Sequence, residues 1–302
     1  MQSQNTDTAR GFAFALSAYL MWGVLPLYMK ALAHIPPAEV IAHRVVWSVP
    51  IAGTVLLLMR RVGDIPRVLR SPRSLGMGVV TAALISVNWG VYVWSIANDR
   101  AIEAALGYYI NPLFSVLLGA VLLGERLTRM QMVAIALAAA AVVVLTLDAG
   151  RLPAVALTLT FSWGFYAYFK KSLPIGPNQG FLLEVLLLTP AALSYMGWLA
   201  ASGQAHFLAG EPADTWLLLG CGVVTAAPLL AYANGAKGLR LSTIGIMQYI
   251  APTMIFLIAV FVFGEPFGRA KMIAFPMIWA ALVIYSVPML RKLRQDRAGR
   301  AG

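Results

Sequence analysis

A single cysteine, Cys221, in 302 residues leaves no partner for an internal disulfide, and three scattered histidines offer no metal-ligand spacing. Catalytic signatures are missing as well. There is no Gly-rich phosphate loop with its Lys, so ATP drive would need a separate subunit; there is no His-Glu-x-x-His and no pair of intramembrane aspartates. No cofactor or metal is implied. Charge is scarce too: Asp, Glu, Lys and Arg make up 12% of the chain, where a soluble domain carries roughly 25%. A water-soluble domain is thereby excluded.

Apolar sequence is what the chain has, at 60%. Uncharged runs at 12–29, 74–97, 104–123, 130–147, 152–169, 215–236 and 272–290 each come near the roughly 20 residues that cross a hydrocarbon core. Three more, at 39–59, 180–200 and 242–263, carry Glu39, His43 and Arg44, Glu184, and Gln248 respectively. The expected fold is an all-α membrane protein with ten transmembrane helices. A net charge of +11 would suggest nucleic acid in a soluble protein, but in a ten-span topology 17 basic residues fall on one side and 5 on the other. The positive-inside rule then puts both termini in the cytoplasm. It reads the basic tail, 291–302, as topology anchoring and contact with anionic lipid, not nucleic-acid binding.

The chain also repeats itself. Tyr109-Ile110-Asn111-Pro112, Gly124-Glu125 and Met132-Val133-Ala134 return as Tyr249-Ile250-Ala251-Pro252, Gly264-Glu265 and Met272-Ile273-Ala274, at a constant offset of 140. Trp22-Gly23 and Lys30 return as Trp163-Gly164 and Lys171, which makes the first apolar run part of the unit and not a cleaved leader. Val79-Val80-Thr81-Ala82-Ala83 returns as Val223-Val224-Thr225-Ala226-Ala227. Two five-helix units are expected, 11–148 and 152–290, each an odd number of spans. The second must enter the membrane from the opposite side, giving two inverted five-helix repeats, an architecture of transporters.

On these residues the chain resembles the EamA family of the drug/metabolite transporter superfamily, and within it the RarD type. The matching stretches are Trp22-Gly23 with Pro26 and Lys30, His43-Arg44-Val45-Val46-Trp47-Ser48, Asn88-Trp89-Gly90, Leu106-Gly107-Tyr108-Tyr109-Ile110-Asn111-Pro112, Leu123-Gly124-Glu125-Arg126 and Arg240-Leu241-Ser242-Thr243 through Thr253. The resemblance implies a ten-helix transporter whose central cavity is lined by spans one to four and six to nine, with spans five and ten peripheral. It also implies an association with chloramphenicol sensitivity. Where the first half has Asn111-Pro112 the second has Ala251-Pro252, so Asn111 has no symmetric partner.

Polar side chains inside a span cost a few kcal/mol and so are candidates for function. Glu39, His43 and Arg44 open the second span and Glu184 lies near the start of the seventh; His43 aligns with Glu184 across the repeat, as paired outer and inner gates would. Snorkelling to the interface is the other reading. Glu184, Glu39 or His43 could carry a proton, and no Lys or Arg on the helix of Glu184 is placed to hold it ionised. Aromatic and amide residues form a second set: Tyr19, Trp22, Asn88, Trp89, Tyr92, Tyr108, Asn111, Trp163, Tyr166, Gln248 and Tyr249, joined by Tyr109, Tyr232 and Asn234. They suit a cavity for an amphipathic molecule, possible for a cation through ring faces and without a fixed charge match, or else an interfacial aromatic belt. Pro112 and Pro252 read as hinges or as static kinks. Glu125 and Glu265, next to Arg126 and near Arg269, read as helix caps or interfacial ion pairs.

The expected function is secondary transport of small organic metabolites or drugs, as a permease or exporter in a bacterial inner membrane, by alternating access. Its partners would be a small-molecule substrate, membrane lipid and a coupling proton or exchanged substrate, with the chain acting as a monomer and not as an enzyme. The alternative class is an intramembrane enzyme or a receptor. The missing catalytic motifs weigh against the first, and two-sided access against the second.

Overall fold

The computed structural model describes residues 8–298 apart from 62, 64–65, 67–69, 124–126, 173–174, 210, 237, 240–242 and 245–246. Glu125 with its neighbours Gly124 and Arg126, and the stretch Arg240-Leu241-Ser242, thus lie outside the described residues. Among the described residues ten helices follow in order: α1 (Ala9–Ala31), α2 (Pro37–Leu58), α3 (Pro72–Ala97), α4 (Ala101–Leu123), α5 (Arg129–Ala149), α6 (Ala154–Ser172), α7 (Pro177–Ala201), α8 (Pro212–Ala236), α9 (Ile250–Leu257) and α10 (Arg269–Ala298). A π-helical turn, Ile258–Val262, prolongs α9. There is no strand among the described residues.

Eight of these helices are long and apolar enough to cross a membrane, which makes the chain a multi-pass membrane protein; the exceptions are α6 and the short Ile250–Val262 segment. Both shortfalls have a local cause. The lysines Lys170 and Lys171 dilute the end of α6, and α9 begins at Ile250, well after the residue 242 expected from hydropathy. At the other end, α10 runs on to Ala298, so most of the basic tail continues a helix.

Helix starts are written locally. Proline opens α2, α3 and α7, where its missing N–H costs no hydrogen bond. Thr8, Ser71 and Thr128 accept the N–H groups of Gly11, Ser74 and Gln131 to cap α1, α3 and α5, and Thr128 with Gln131 completes a capping box. Gly150, at φ 63°, ends α5 in the left-handed conformation that glycine adopts without strain.

Packing assigns inside and outside. Helices α5 and α10 lie against each other, and their buried positions are mostly alanine: Ala134, Ala138 and Ala141 on one, Ala274 and Ala281 on the other. Small side chains let helix backbones approach where lipid supplies no hydrophobic drive for association. On the outer faces Leu147 is 77% exposed and Val283 63%, which suits hydrocarbon and not water. The remaining helices form the bundle proper. In it α1 packs on α8 and α9, α6 on α3 and α4, and α2 on α7 and α8. A Cβ on Gly107 would lie 2.7 Å from the Ala156 carbonyl oxygen, so α4 and α6 meet backbone to backbone.

The prolines differ from the sequence expectation. Pro112 does interrupt α4 from inside, but Pro252 is the third residue of α9, in a first turn whose N–H groups have no helical partner to lose. The two are therefore not equivalent kinks.

Candidate functional site

Between the halves lies a cavity lined by residues of α1, α2, α3, α4, α6, α8 and α9. About 140 Å³ of it is open to the centres of water-sized molecules, well above the roughly 10–15 Å³ needed to hold a single water. Neither α5 nor α10 contributes to the lining, and α7 contributes nothing either, unlike the arrangement the resemblance implies.

The lining is built from single helix faces. Tyr19, Trp22 and Leu25 recur every third residue on α1, Asn88 and Trp89 sit one turn from Tyr92 on α3, and Tyr108 lies three residues before Asn111 on α4. Trp163, Tyr232 and Gln248 complete it with Ala251, Pro252 and Ile255. The rings touch in a continuous chain: Tyr19 to Trp22 at 5.7 Å, Trp22 to Tyr232 at 5.7 Å, Trp22 to Trp163 at 6.5 Å and Trp163 to Tyr108 at 6.5 Å between centroids. Edge-on and tilted geometries at these distances are attractive and hold the walls rigid.

Four residues of the expected set, Tyr109, Tyr166, Asn234 and Tyr249, stand outside the lining. Tyr166 is buried, with its ring 5.6 Å from Trp163, and its hydroxyl donates to Glu184 Oε2 at 3.1 Å. Tyr249 has a buried hydroxyl without a hydrogen-bond partner, yet does not reach the cavity. Asn88 lines the cavity but spends its amide elsewhere: Nδ2 donates to the Leu159 carbonyl at 3.2 Å and to Ser162 Oγ at 3.0 Å, while Oδ1 accepts from the Tyr108 hydroxyl. Its part is to lock α3 to α6 and α4. Three lining residues keep a buried polar atom without a hydrogen-bond partner: Arg44 Nη1, the Tyr92 hydroxyl and Asn111 Oδ1.

Arg44 corrects two expectations. It neither snorkels to the interface nor stands apart as a gate, because it is 3% exposed and lines the cavity. Its Nε donates to Thr225 Oγ1 at 3.0 Å and its guanidinium carbon lies 4.8 Å from the centre of the Trp89 ring. A cavity without fixed charge is thus replaced by one that carries a cation.

The two carboxylates of the expected gate set are paired. Glu39, 1% exposed, accepts the backbone N–H of His206 at 2.8 Å on Oε1 and meets His206 Nδ1 at 2.8 Å on Oε2. His43 Nδ1 accepts from Trp47 Nε1 at 2.9 Å, with Phe207 4.8 Å from its ring. Glu184 is also 1% exposed, two turns into α7, and Lys170 of α6 sits 2.6 Å from its Oε1. The expectation of an unpaired carboxylate was right for its own helix and wrong for the bundle. Tyr166 and Lys170, four apart, project from one face of α6, a spacing that could have revealed the pair.

One end of the bundle is laced by contacts among its turns. Lys30 meets Asp99 at 2.5 Å, His34 meets Asp214 at 2.9 Å, and Glu265 accepts the N–H groups of Ala101 and Ile102 at 2.5 and 2.9 Å. Glu265 thereby caps α4 from the α9–α10 turn, a cap supplied by another helix hairpin and not by an ion pair with Arg269. Burial raises its carboxyl above the usual carboxylate range, with the two N–H bonds opposing that shift.

Comparison with known proteins agrees with this architecture. The EamA-like transporter family matches residues 9–147. A relative described as an "Uncharacterized transporter" in Vibrio cholerae is 42% identical over 99% of this chain and 99% of its own length. "Protein RarD" of Streptomyces exfoliatus is 42% identical over 99% of this chain and 94% of its own, and "Protein RarD" of Escherichia coli 39% identical over 92% and 94%. A solved structure described as "Crystal structure of protein" superposes with a TM-score of 0.58 at 20% identity, covering 93% of this chain and 98% of that one, which speaks to the fold alone. With such identity over nearly its whole length, the chain belongs to the EamA-like transporter family and is of the RarD type.

Proposed function

We propose that this chain is a secondary transporter that moves a small organic molecule across a bacterial inner membrane by alternating access, using two inverted repeats over 11–148 and 152–290 and a cytoplasmic tail over 291–302. The observation that carries the reading is the cavity itself, an aromatic chamber at the seam of the halves holding unspent polar groups. Such a chamber near the bilayer midplane, reached from either side by rocking of one half on the other, is what transport by inverted repeats requires.

Several features support the inverted arrangement. First residues of helices recur at the same spacing in both halves: Pro37 and Pro177, Pro72 and Pro212, Arg129 and Arg269. Exchanging α1–α5 with α6–α10 converts the α1–α8 contact into α6–α3, α1–α9 into α6–α4 and α2–α8 into α7–α3, while α2–α7 and α5–α10 map onto themselves. Trp22 and Trp163, equivalent in the repeat, meet ring to ring, as residues close to a two-fold axis would. In this reading His43 and Glu184 are the gates, Glu184 with Lys170 is the site of coupling to a proton or exchanged substrate, and Pro112 flexes. The chain works as a monomer with both termini in the cytoplasm.

The test is flux into proteoliposomes of the purified full chain, with labelled phenylacetate, phenylacetamide and phenethylamine as aromatic probes of three charges. Saturable, protein-dependent uptake of at least one is expected. Uptake of all three at the protein-free rate by folded protein would count against transport of this class.

A further inference from the structure

We propose that the substrate is an organic anion, a carboxylate on an aromatic or otherwise apolar body, and that Arg44 binds its carboxylate. This rests on the cavity being the transport site. The inference starts from an imbalance of charge. Among the described residues no carboxylate is paired with Arg44: Glu39 is held by His206, Glu184 by Lys170, Asp214 by His34, and Glu265 by the start of α4.

A guanidinium stripped of water is costly unless its charge and its N–H groups are matched. Here the matching is partial. The Trp89 face offers cation–π attraction and Thr225 takes the Nε proton, but Nη1 donates to nothing. Those two contacts hold the planar group in one orientation, Nη1 is left buried without a partner, and arginine's fork matches the geometry of a carboxylate. The Tyr92 hydroxyl, also unpartnered and on the same lining, can donate to the second carboxylate oxygen.

Selectivity follows from the rest of the chamber. Tyr19, Trp22, Trp163 and Tyr232 supply ring faces and edges for an apolar body, and none supplies a compensating negative charge. An amine would meet Arg44 with like charge in a medium of low dielectric, a repulsion large enough to bar it. The repeat offers no second cation in the lining, since the position equivalent to Arg44 is Val185 on α7, outside the cavity. One anionic group per substrate is therefore the capacity of the site.

The experiment is binding to the purified full chain, read by competition and by quenching of tryptophan fluorescence, with phenylacetate, phenylacetamide and phenethylamine. These probes share one ring and differ in charge. Wild type is expected to bind phenylacetate at least about tenfold more tightly than phenylacetamide and to show no binding of phenethylamine. Arg44→Gln is expected to abolish the preference for acid over amide, and Thr225→Val, which frees the guanidinium to rotate, to weaken it. Amide or amine binding as tight as acid in wild type would overturn the proposal, and so would an unchanged preference in a folded Arg44→Gln protein; if that variant does not fold, the wild-type series alone decides. Failure of transport is separable: acid-selective binding without flux keeps the anion site and removes the transport reading, whereas flux indifferent to charge does the reverse.

Discussion

Trp22 illustrates how much a single side chain can do in this chamber, because its ring touches Tyr19, Tyr232 and Trp163. Replacing Trp22 or Trp163 with Ala opens the wall on which an aromatic substrate would rest. Uptake efficiency is expected to fall at least about tenfold, equivalent to about 1.4 kcal/mol, with near-normal expression; wild-type flux in both variants would assign the rings to packing. Lys170 and Glu184 call for a different test. Removing one member of a buried ion pair strands the other and costs about 3–5 kcal/mol, whereas replacing both with apolar groups of similar size is often neutral. Thermal unfolding in detergent should therefore show Glu184→Gln strongly destabilised and the double variant Lys170→Met with Glu184→Leu largely recovered. A loss in the double variant equal to the sum of the single-variant losses would rule out coupling between them. Flux against pH for wild type, Glu184→Gln and His43→Asn addresses the gates. At least one variant profile is expected to be displaced, and three superimposable curves would remove both residues from coupling.

At the scale of elements, the junction between α9–α10 and α4 is the informative one. Glu265 satisfies two of the N–H groups that the start of α4 leaves without partners and also stabilises its positive end. Glu265→Ala should cost about 1–2 kcal/mol of stability, and an unfolding temperature equal to wild type would show that the cap is dispensable. The pH dependence has a defined sign. Because burial raises the folded-state carboxyl above its unfolded value, the stability gained from its protonation is full below about pH 4, the unfolded range, and is lost as pH rises through the raised value. Glu265→Gln should flatten that part of the stability curve. Helix boundaries were largely legible in the sequence, since Pro, Thr, Ser and Gly act on their own turn. The start of α9 was not, because hydropathy extends to residue 242 while the helix begins at Ile250.

For the whole molecule, the inverted reading makes a categorical prediction. With Cys221 buried as the native thiol, single cysteines can be placed in the turns at Glu125 and Glu265 after Cys221 is replaced. An impermeant reagent applied to intact cells should label only the one near Glu265. Labelling of both would end the inverted-repeat reading. The same topology places the turns tied by Lys30–Asp99, His34–Asp214 and Glu39–His206 on the periplasmic side. These contacts would hold that face shut, so alternation must break them.

Composition and hydropathy by themselves determined that this is a helical membrane protein, and the internal repeat with its motifs determined the family. Both are properties summed along the chain, and the apolar length needed to span a bilayer does not depend on which helices are neighbours. Most of the aromatic lining was also legible, since large rings with polar tips far from span ends have few places to go but a bundle interior. What only the tertiary structure decided is who neutralises whom. Glu39 found His206 at a separation of 167 residues, and Arg44 found Thr225 at 181. Lys170 reached Glu184 from the preceding helix. In a low-dielectric interior the state of a charge is set by the nearest few ångströms, and those neighbours are brought in by helix packing that no local pattern in the sequence encodes. For Arg44 the packing brought ring faces and a hydroxyl but, among the described residues, no carboxylate, and that is the difference between a buried structural arginine and a binding group.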